Sequence, residues 1–392
     1  TKDDLGDNYS IQANGILDFR NNDTVGGLSG SGVVTNSGSS AVAITVCNNN
    51  QSGVFSGVIR NGAGAATLAV TKTGSGFLTL SGASTFSGGF NFSAGQLNIN
   101  NGGATSGESA VGIGTFTIGA SLIDNTSGAD VTLLPAVAQS WNSDFTFFGS
   151  KSLNLGSGNV TLGANRTVTV SNNTLTVGGA ISGGFSLTKN GAGALVLNGA
   201  NTYSGATTVN GGSLVVNGST ASGSAVMVNA GLLGGSGTIN GMASLGIGSL
   251  LSPGGVGSVG TLTFANAAVT NLTLNGNTLL FDLSTVADAC DKVKLTAAAA
   301  KLMLNGTNTV ALSFPASGAP AGTYTLMTCP GGVITNSGAV LKLLTAYPNA
   351  TLGMVSSNLV LTLSAPTTSG VAWTGEASGK WDGGALNWTA DG

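Results

Sequence analysis

The chain of 392 residues predicts an all-β fold: a single-stranded parallel β-helix drawn out into a rod. Three observations carry that prediction: an unusual composition, very short apolar bursts, and an internal repeat. Charged residues make up 7% of the chain, against about 25% in an average soluble domain. Yet 41% of residues are hydrophobic and 65 are glycine. Disorder needs low hydrophobicity and high net charge, so it is excluded. Collagen is excluded too, because glycine has no three-residue period and there are only seven prolines.

The bursts come next. "SLNLGSGNVTLGANRTVTVSNNTLTVGG" (152–179) holds four alternating apolar segments in 28 residues. Period-2 alternation between turns this closely spaced predicts strands of three to five residues. Such a strand cannot bury its own apolar face. Coils stacked at about 4.8 Å let each backbone pair with the coils above and below, while inward Leu, Val, Ile and Phe form one core. Glycine and asparagine suit the corners, and stacked asparagines and threonines can hydrogen-bond along the axis. Coils of roughly 20 to 24 residues predict about 16 to 20 of them and a rod on the order of 80–95 Å long. A β-sandwich fits the composition as well, but uses longer strands and divides at about 200–250 residues.

The repeat is explicit. Residues 70–100, "VTKTGSGFLTLSGASTFSGGFNFSAGQLNIN", align without a gap with 187–217, "LTKNGAGALVLNGANTYSGATTVNGGSLVVN", at an offset of 117. Fourteen of 31 positions are identical, and the shared glycines fall between the apolar bursts. Three segments follow: residues 1–229 as coils holding both repeats, 230–370 as a more irregular, decorated continuation, and 371–392 as an end segment. In the second, 279–306 is expected to include a short helix or a decorated loop. The last holds Trp373, Trp381 and Trp388 and reads as a cap or as the start of a next unit.

These residues resemble the passenger-associated transport repeat of autotransporters, also called the autotransporter-associated β-strand repeat. Gly191, Gly193, Leu195, Leu197, Gly199, Asn201, Tyr203, Gly205, Thr207, Val209, Gly212 and Leu214 occupy the places of its pattern. The earlier copy departs at Ser84, Phe86 and Phe92. The resemblance implies a right-handed β-helix outside a bacterium, carried in a secreted passenger whose export and folding the repeat serves. "TKDDLGDNYS" at the start holds no apolar signal region. The strands of a membrane barrel, each about ten residues long with aromatic girdles, are not seen either. The expectation is a passenger fragment, a processed product, or a unit exported by another route.

Catalytic chemistry finds little footing. There is no histidine, which removes Ser-His-Asp and Cys-His catalysis and most zinc sites. "GVGSVG" (255–260) has the spacing of a phosphate loop, but "TLTF" follows it where a helix is needed. Asp3, Asp4 and Asp7 read as loose terminal charge. Asp282, Asp288 and Asp291 read as a surface ion-pair cluster with Lys292 and Lys294; the alternative is a carboxylate site acting on polysaccharide. Glu108 and Glu376 stand alone, and the sequon at Asn165 follows from composition. Lys72 and Lys189, at equivalent repeat positions, are expected to keep coil edges soluble at turns, with a polysaccharide contact as the alternative. The three tryptophans either cover the last coil or stack on sugars. Cys47, Cys290 and Cys329 allow a Cys290–Cys329 bridge or three buried thiols.

No catalytic, cofactor or metal residue is assigned, and no cofactor is expected. The expected function is an extracellular structural or adhesive surface rod, assembling end to end into filaments, and not an enzyme. The alternatives are a polysaccharide-active β-helix enzyme and a carbohydrate-binding adhesin. Expected partners are further copies of the chain, end to end or side by side, and a cell surface or extracellular polysaccharide. Twelve scattered Lys and Arg against 15 acids leave no basic stripe for nucleic acid. No apolar run is long enough to span a membrane as a helix.

Overall fold

The structure, a computed structural model, describes residues 9–62, 66–119, 121–266, 270–286, 288–316, 318–345, 347, 349–365, 371–373 and 388–390. Every regular element among them is a strand, and each coil of chain crosses three faces in turn. The first face is a 13-stranded sheet from Gly53–Phe55 to Val333–Thr335, preceded by Gly27–Ser29 and Ser10–Gln12. The second is a 3-stranded sheet near the N-terminus and a 10-stranded sheet from Val131 onward. The third is an 8-stranded sheet ending at Ile181–Ser182, continued by bridges at Ala200–Ser219 and Ser219–Thr238 into a 6-stranded sheet. Neighbouring strands of the three faces are parallel, except for the antiparallel pairs that end the third face. This is the parallel β-helix that the composition and the repeat predict.

The first face stacks fifteen rungs among the described residues, roughly 65–70 Å at 4.8 Å per rung. That is just under the sixteen to twenty expected. The reason is coil length: Val226 to Ala243 is a turn of 17 residues, whereas Leu302 to Val333 takes 31. The later coils carry longer excursions. The 279–306 stretch holds strands Thr278–Asp282, Lys292–Leu295 and Lys301–Asn305 and no helix; its alanine run forms a turn. On the third face the final pairs are antiparallel, Gly322–Thr328 with Asn358–Leu363 and that strand with Ala350–Val355. Val371–Trp373 and Trp388–Ala390 pair antiparallel as a separate two-stranded sheet. Trp381 and Glu376 lie outside the described residues, as do Asp3, Asp4 and Asp7.

Alternation sorts the side chains. Leu195, Leu197, Leu214 and Val216 point into one continuous core, while Ala194, Val196, Ser213 and Val215 between them face outward. Outward columns are equally regular. On the third face Thr24, Thr45, Thr71, Asn91, Thr117, Ser140, Thr161 and Ser182 stand one above another through eight successive strands. On the first face Asn190, Asn210 and Asn229 form an amide ladder, with Asn210 donating to Asn190 at 2.9 Å and Asn229 to Asn210 at 2.8 Å.

One corner sets the tightest constraint. Gly158, Gly179, Gly199, Gly218 and Gly237 stack in a column over five coils. A Cβ on Gly199 would lie 2.2 Å from the carbonyl oxygen of Gly179, and one on Gly218 2.0 Å from that of Gly199. At this corner the side-chain direction runs along the axis into the coil beneath, so any side chain meets fixed backbone. Gly199→Ala is therefore expected to destabilise the rod by about 2–3 kcal/mol, the upper range of overpacking costs. Gly184→Ala, in open space on the same winding, is expected to stay within about 0.5 kcal/mol. Urea unfolding midpoints of the two variants check the contrast.

Candidate functional site

The repeat positions that attract attention in the sequence are the two lysines, and the structure turns both inward. Lys72 ends strand Leu68–Lys72 and Lys189 lies in Leu187–Asn190; both are fully buried. Lys72 Nζ donates to the carbonyl oxygens of Thr73, Gly74 and Ala94 at 2.6, 3.0 and 3.0 Å. Lys189 Nζ donates to those of Asn190, Gly191 and Gly211 at 3.2, 2.9 and 2.9 Å. Two acceptors come from the lysine's own turn and the third from the coil above, 22 residues on. Gly74 and Gly191 have φ of 64° and 84°, a left-handed conformation that glycine adopts at little cost. The turn there offers its carbonyls to the ammonium. Each lysine thus spends all three N–H donors inside the rod, and neither reaches the surface expected of it. Burial pulls Lys72 below the ordinary lysine value and Lys189 to about 8.

Other repeat positions serve the same end. Asn201 Oδ1 accepts from Ile181 N at 2.9 Å, and Ser84 Oγ, its counterpart, accepts from Ile59 N at 3.1 Å. Tyr203 is fully buried with its hydroxyl 2.6 Å from Thr207 Oγ1. In the earlier copy both partners change together: Phe86 and Phe90 stand there, ring centroids 6.4 Å apart. A buried tyrosine hydroxyl needs a partner; where the hydroxyl is gone, a second ring fills the space.

The two copies do not share a face. The earlier one runs third, first, second, third, first; the later one first, second, third, first, second. They are separated by five and one third turns, so equivalent residues point in different directions. Lys72 and Lys189 therefore cannot join in one surface site.

The glycine-rich loop and the second acidic trio belong together. Gly257 N donates to Asp282 Oδ2 at 2.7 Å and Gly260 N to Asp291 Oδ1 at 2.7 Å, while Asp291 Oδ2 accepts from Asp282 N at 2.9 Å. The loop's amides are turned on an anion, as its spacing suggests, but the anions are the chain's own carboxylates. Asp282 and Asp291 are buried and Asp288 is exposed. Burial pushes Asp291 up to about 7. Neither Lys292 nor Lys294 forms an ion pair; among the described residues the salt bridges are Arg20–Asp18 and Arg166–Asp144. The surface ion-pair cluster expected from sequence is thus replaced by an internal clasp. The cause is the pair of spare amides at Gly257 and Gly260, which two carboxylates satisfy. No group of three metal-ligating side chains comes together among the described residues.

The remaining candidates are also built into the stack. Glu108 Oε1 accepts from Ala104 N at 3.0 Å, and Asn165 Oδ1 from Ser186 N in the next coil at 3.0 Å. All three cysteines are buried and free; burial raises each thiol above its usual value, Cys290 and Cys329 to about 11. A cavity of about 300 Å³ opens near the last coils, lined by Leu302, Leu304, Cys329, Val333, Leu341 and Leu352 among others. It is a gap in the apolar core with no converging polar groups.

With this geometry in place, comparison with protein families gives one result. The model for the passenger-associated-transport-repeat matches twice, at residues 70–99 and 187–216. The matches coincide with the coils that hold Lys72 and Lys189. No curated protein matches the chain.

Two outcomes follow from the repeat's interior. Lys189→Met leaves three corner carbonyls without their donor and is expected to cost about 1–3 kcal/mol at pH 7. It also changes the alkaline limb. The native lysine titrates near 8 and the unfolded one near 10.4. The unfolded chain then holds the extra proton between these values, so wild-type stability rises with pH across that window; the Met variant shows a shallower rise. In a double-mutant cycle, Thr207→Val is expected to cost about 1–3 kcal/mol beside Tyr203 but less beside Tyr203→Phe, a coupling of about 1 kcal/mol.

Proposed function

Because the chain carries two passenger-associated transport repeats, we propose that it is the β-helical passenger part of a secreted or surface-displayed protein, with a structural role. The observation that carries this reading is how the repeats use their polar groups. Lys72, Lys189 and Asn201 are spent on joining coil to coil and Tyr203 on bracing its own coil from within, so none is presented to a ligand. A secreted rod built this way resists proteases because its backbone groups are paired between coils and few loops are free to be cut.

The same accounting favours a structural role over catalysis. Asp282 and Asp291 bind backbone amides, and the exposed Asp288 accepts from Thr325 N instead of joining them. A carboxylate site acting on polysaccharide needs these groups converging on an open groove. Exposed aromatic side chains, such as Phe77 and Phe148 on the first face, form no row along it, so flat stacking of a glycan has little support. Joining one rod to the next by its ends meets a mismatch on the third face, where the stack closes with antiparallel strands. Of the structural readings, a spacer or scaffold that holds other segments away from the cell fits best.

The test is location. An antibody to the folded rod, applied to intact cells of the native host and to culture medium, is expected to find the chain outside the cytoplasm. Detection only after lysis, with cytoplasmic markers, contradicts the reading.

A further inference from the structure

We propose that the third face, over the column from Thr24 to Ser182, docks against the same face of a second copy of this chain. The column differs from the other ladders in how its side chains are used. The asparagines of the first face bond to one another along the axis. In the Thr24–Ser182 column only Ser182 bonds inward, Oγ to the Val160 carbonyl at 3.1 Å. The other seven side chains make no hydrogen bond among the described residues; Asn91 and Thr161 are exposed and the other six of the column half-buried. Seven aligned polar side chains are left for a partner.

The flanking columns carry small, uncharged residues, and Arg166 reaches one edge of the face, its Nε donating to the Trp141 carbonyl at 2.9 Å. Two residues before each column member stand Asn22, Ala43, Ala69, Gly89, Thr115, Ala138, Asn159 and Ala180, none charged or aromatic. Two residues after them come only Gly, Cys, Thr, Ser and Asn. Eight rungs at 4.8 Å and three columns about 6.7 Å apart give a platform of roughly 34 by 13 Å, on the order of 450 Å² per copy. A pair would bury about 900 Å², below the range of stable interfaces and within that of weak, transient ones, so the dimer is reversible and concentration-dependent.

Three properties select a second copy. A partner that meets every rung must repeat at the rung spacing, and another copy does so by construction. Hydroxyl and carboxamide groups both donate and accept, so the column complements itself under a twofold axis; a column of carboxylates would not. The chain carries a net charge of −3, and this neutral face is where two copies approach with least repulsion. A glycan would be expected to find an aromatic platform here, and the column has none.

Sedimentation velocity of the purified chain over a concentration series tests the proposal. Wild type is expected to pass from monomer to dimer. Thr71→Lys with Thr117→Lys sets like charges at the centre of the face and is expected to weaken the dimer more than about 100-fold. Thr188→Lys with Thr208→Lys, on the first face, leaves it intact. A wild type that stays monomeric at the highest soluble concentration overturns the proposal. So does equal loss in both lysine pairs, or a monomer that is retained only on neutral polysaccharide. Should lysine disturb folding, Thr117→Cys gives an independent readout. It sits near the middle of the column, so a short bis-maleimide linker joins two chains there and not at Thr188→Cys; crosslinking at both sites or at neither counts against the face.

Discussion

Backbone meets backbone at the corners of this rod, and the rest of the structure depends on that close approach. Where coils turn, the carbonyl of one coil occupies the space a Cβ of the next would need. Such a corner admits only glycine, which explains why glycine is so abundant and why it stacks in columns. The same turns leave carbonyl oxygens inside the rod, away from water, where an unpaired acceptor costs about 1–3 kcal/mol. Lysine is a suitable remedy because its ammonium serves three acceptors at once. Glycine columns and buried lysines are thus two consequences of one constraint.

The family repeat is accordingly a device for setting coil register. Its two copies sit five and one third turns apart and face different ways, so its sequence is indifferent to which face it occupies. A ligand site would be tied to one direction; a stacking element is not. The paired change from Tyr203 and Thr207 to Phe86 and Phe90 follows the same logic, since either pair fills the interior without leaving a hydroxyl unbonded.

Much of this was legible in the sequence. Short alternating bursts, glycine between them and the gapless 31-residue repeat give the β-helix, because each reports a local requirement. The two lysines are buried where their charge alone predicts the surface. Alternation itself puts Lys189 on the inward side with Leu187, as it puts Lys72 with Val70; reading lysine as a surface residue overrode that pattern. The glycine two residues later was the second signal. The Asp282–Asp291 clasp could not be read, because it joins a loop to carboxylates 25 and 31 residues away. Coil length was obscured for a related reason: excursions add residues without adding rungs.

The central claim is that the two repeats are the most firmly joined coils of the rod. Native-state hydrogen exchange measured by mass spectrometry tests it most directly. The slowest-exchanging amides are expected within 70–99 and 187–216, with faster exchange in the long coils beyond residue 270. Protection spread evenly along the rod, or greatest outside the repeats, would contradict the account.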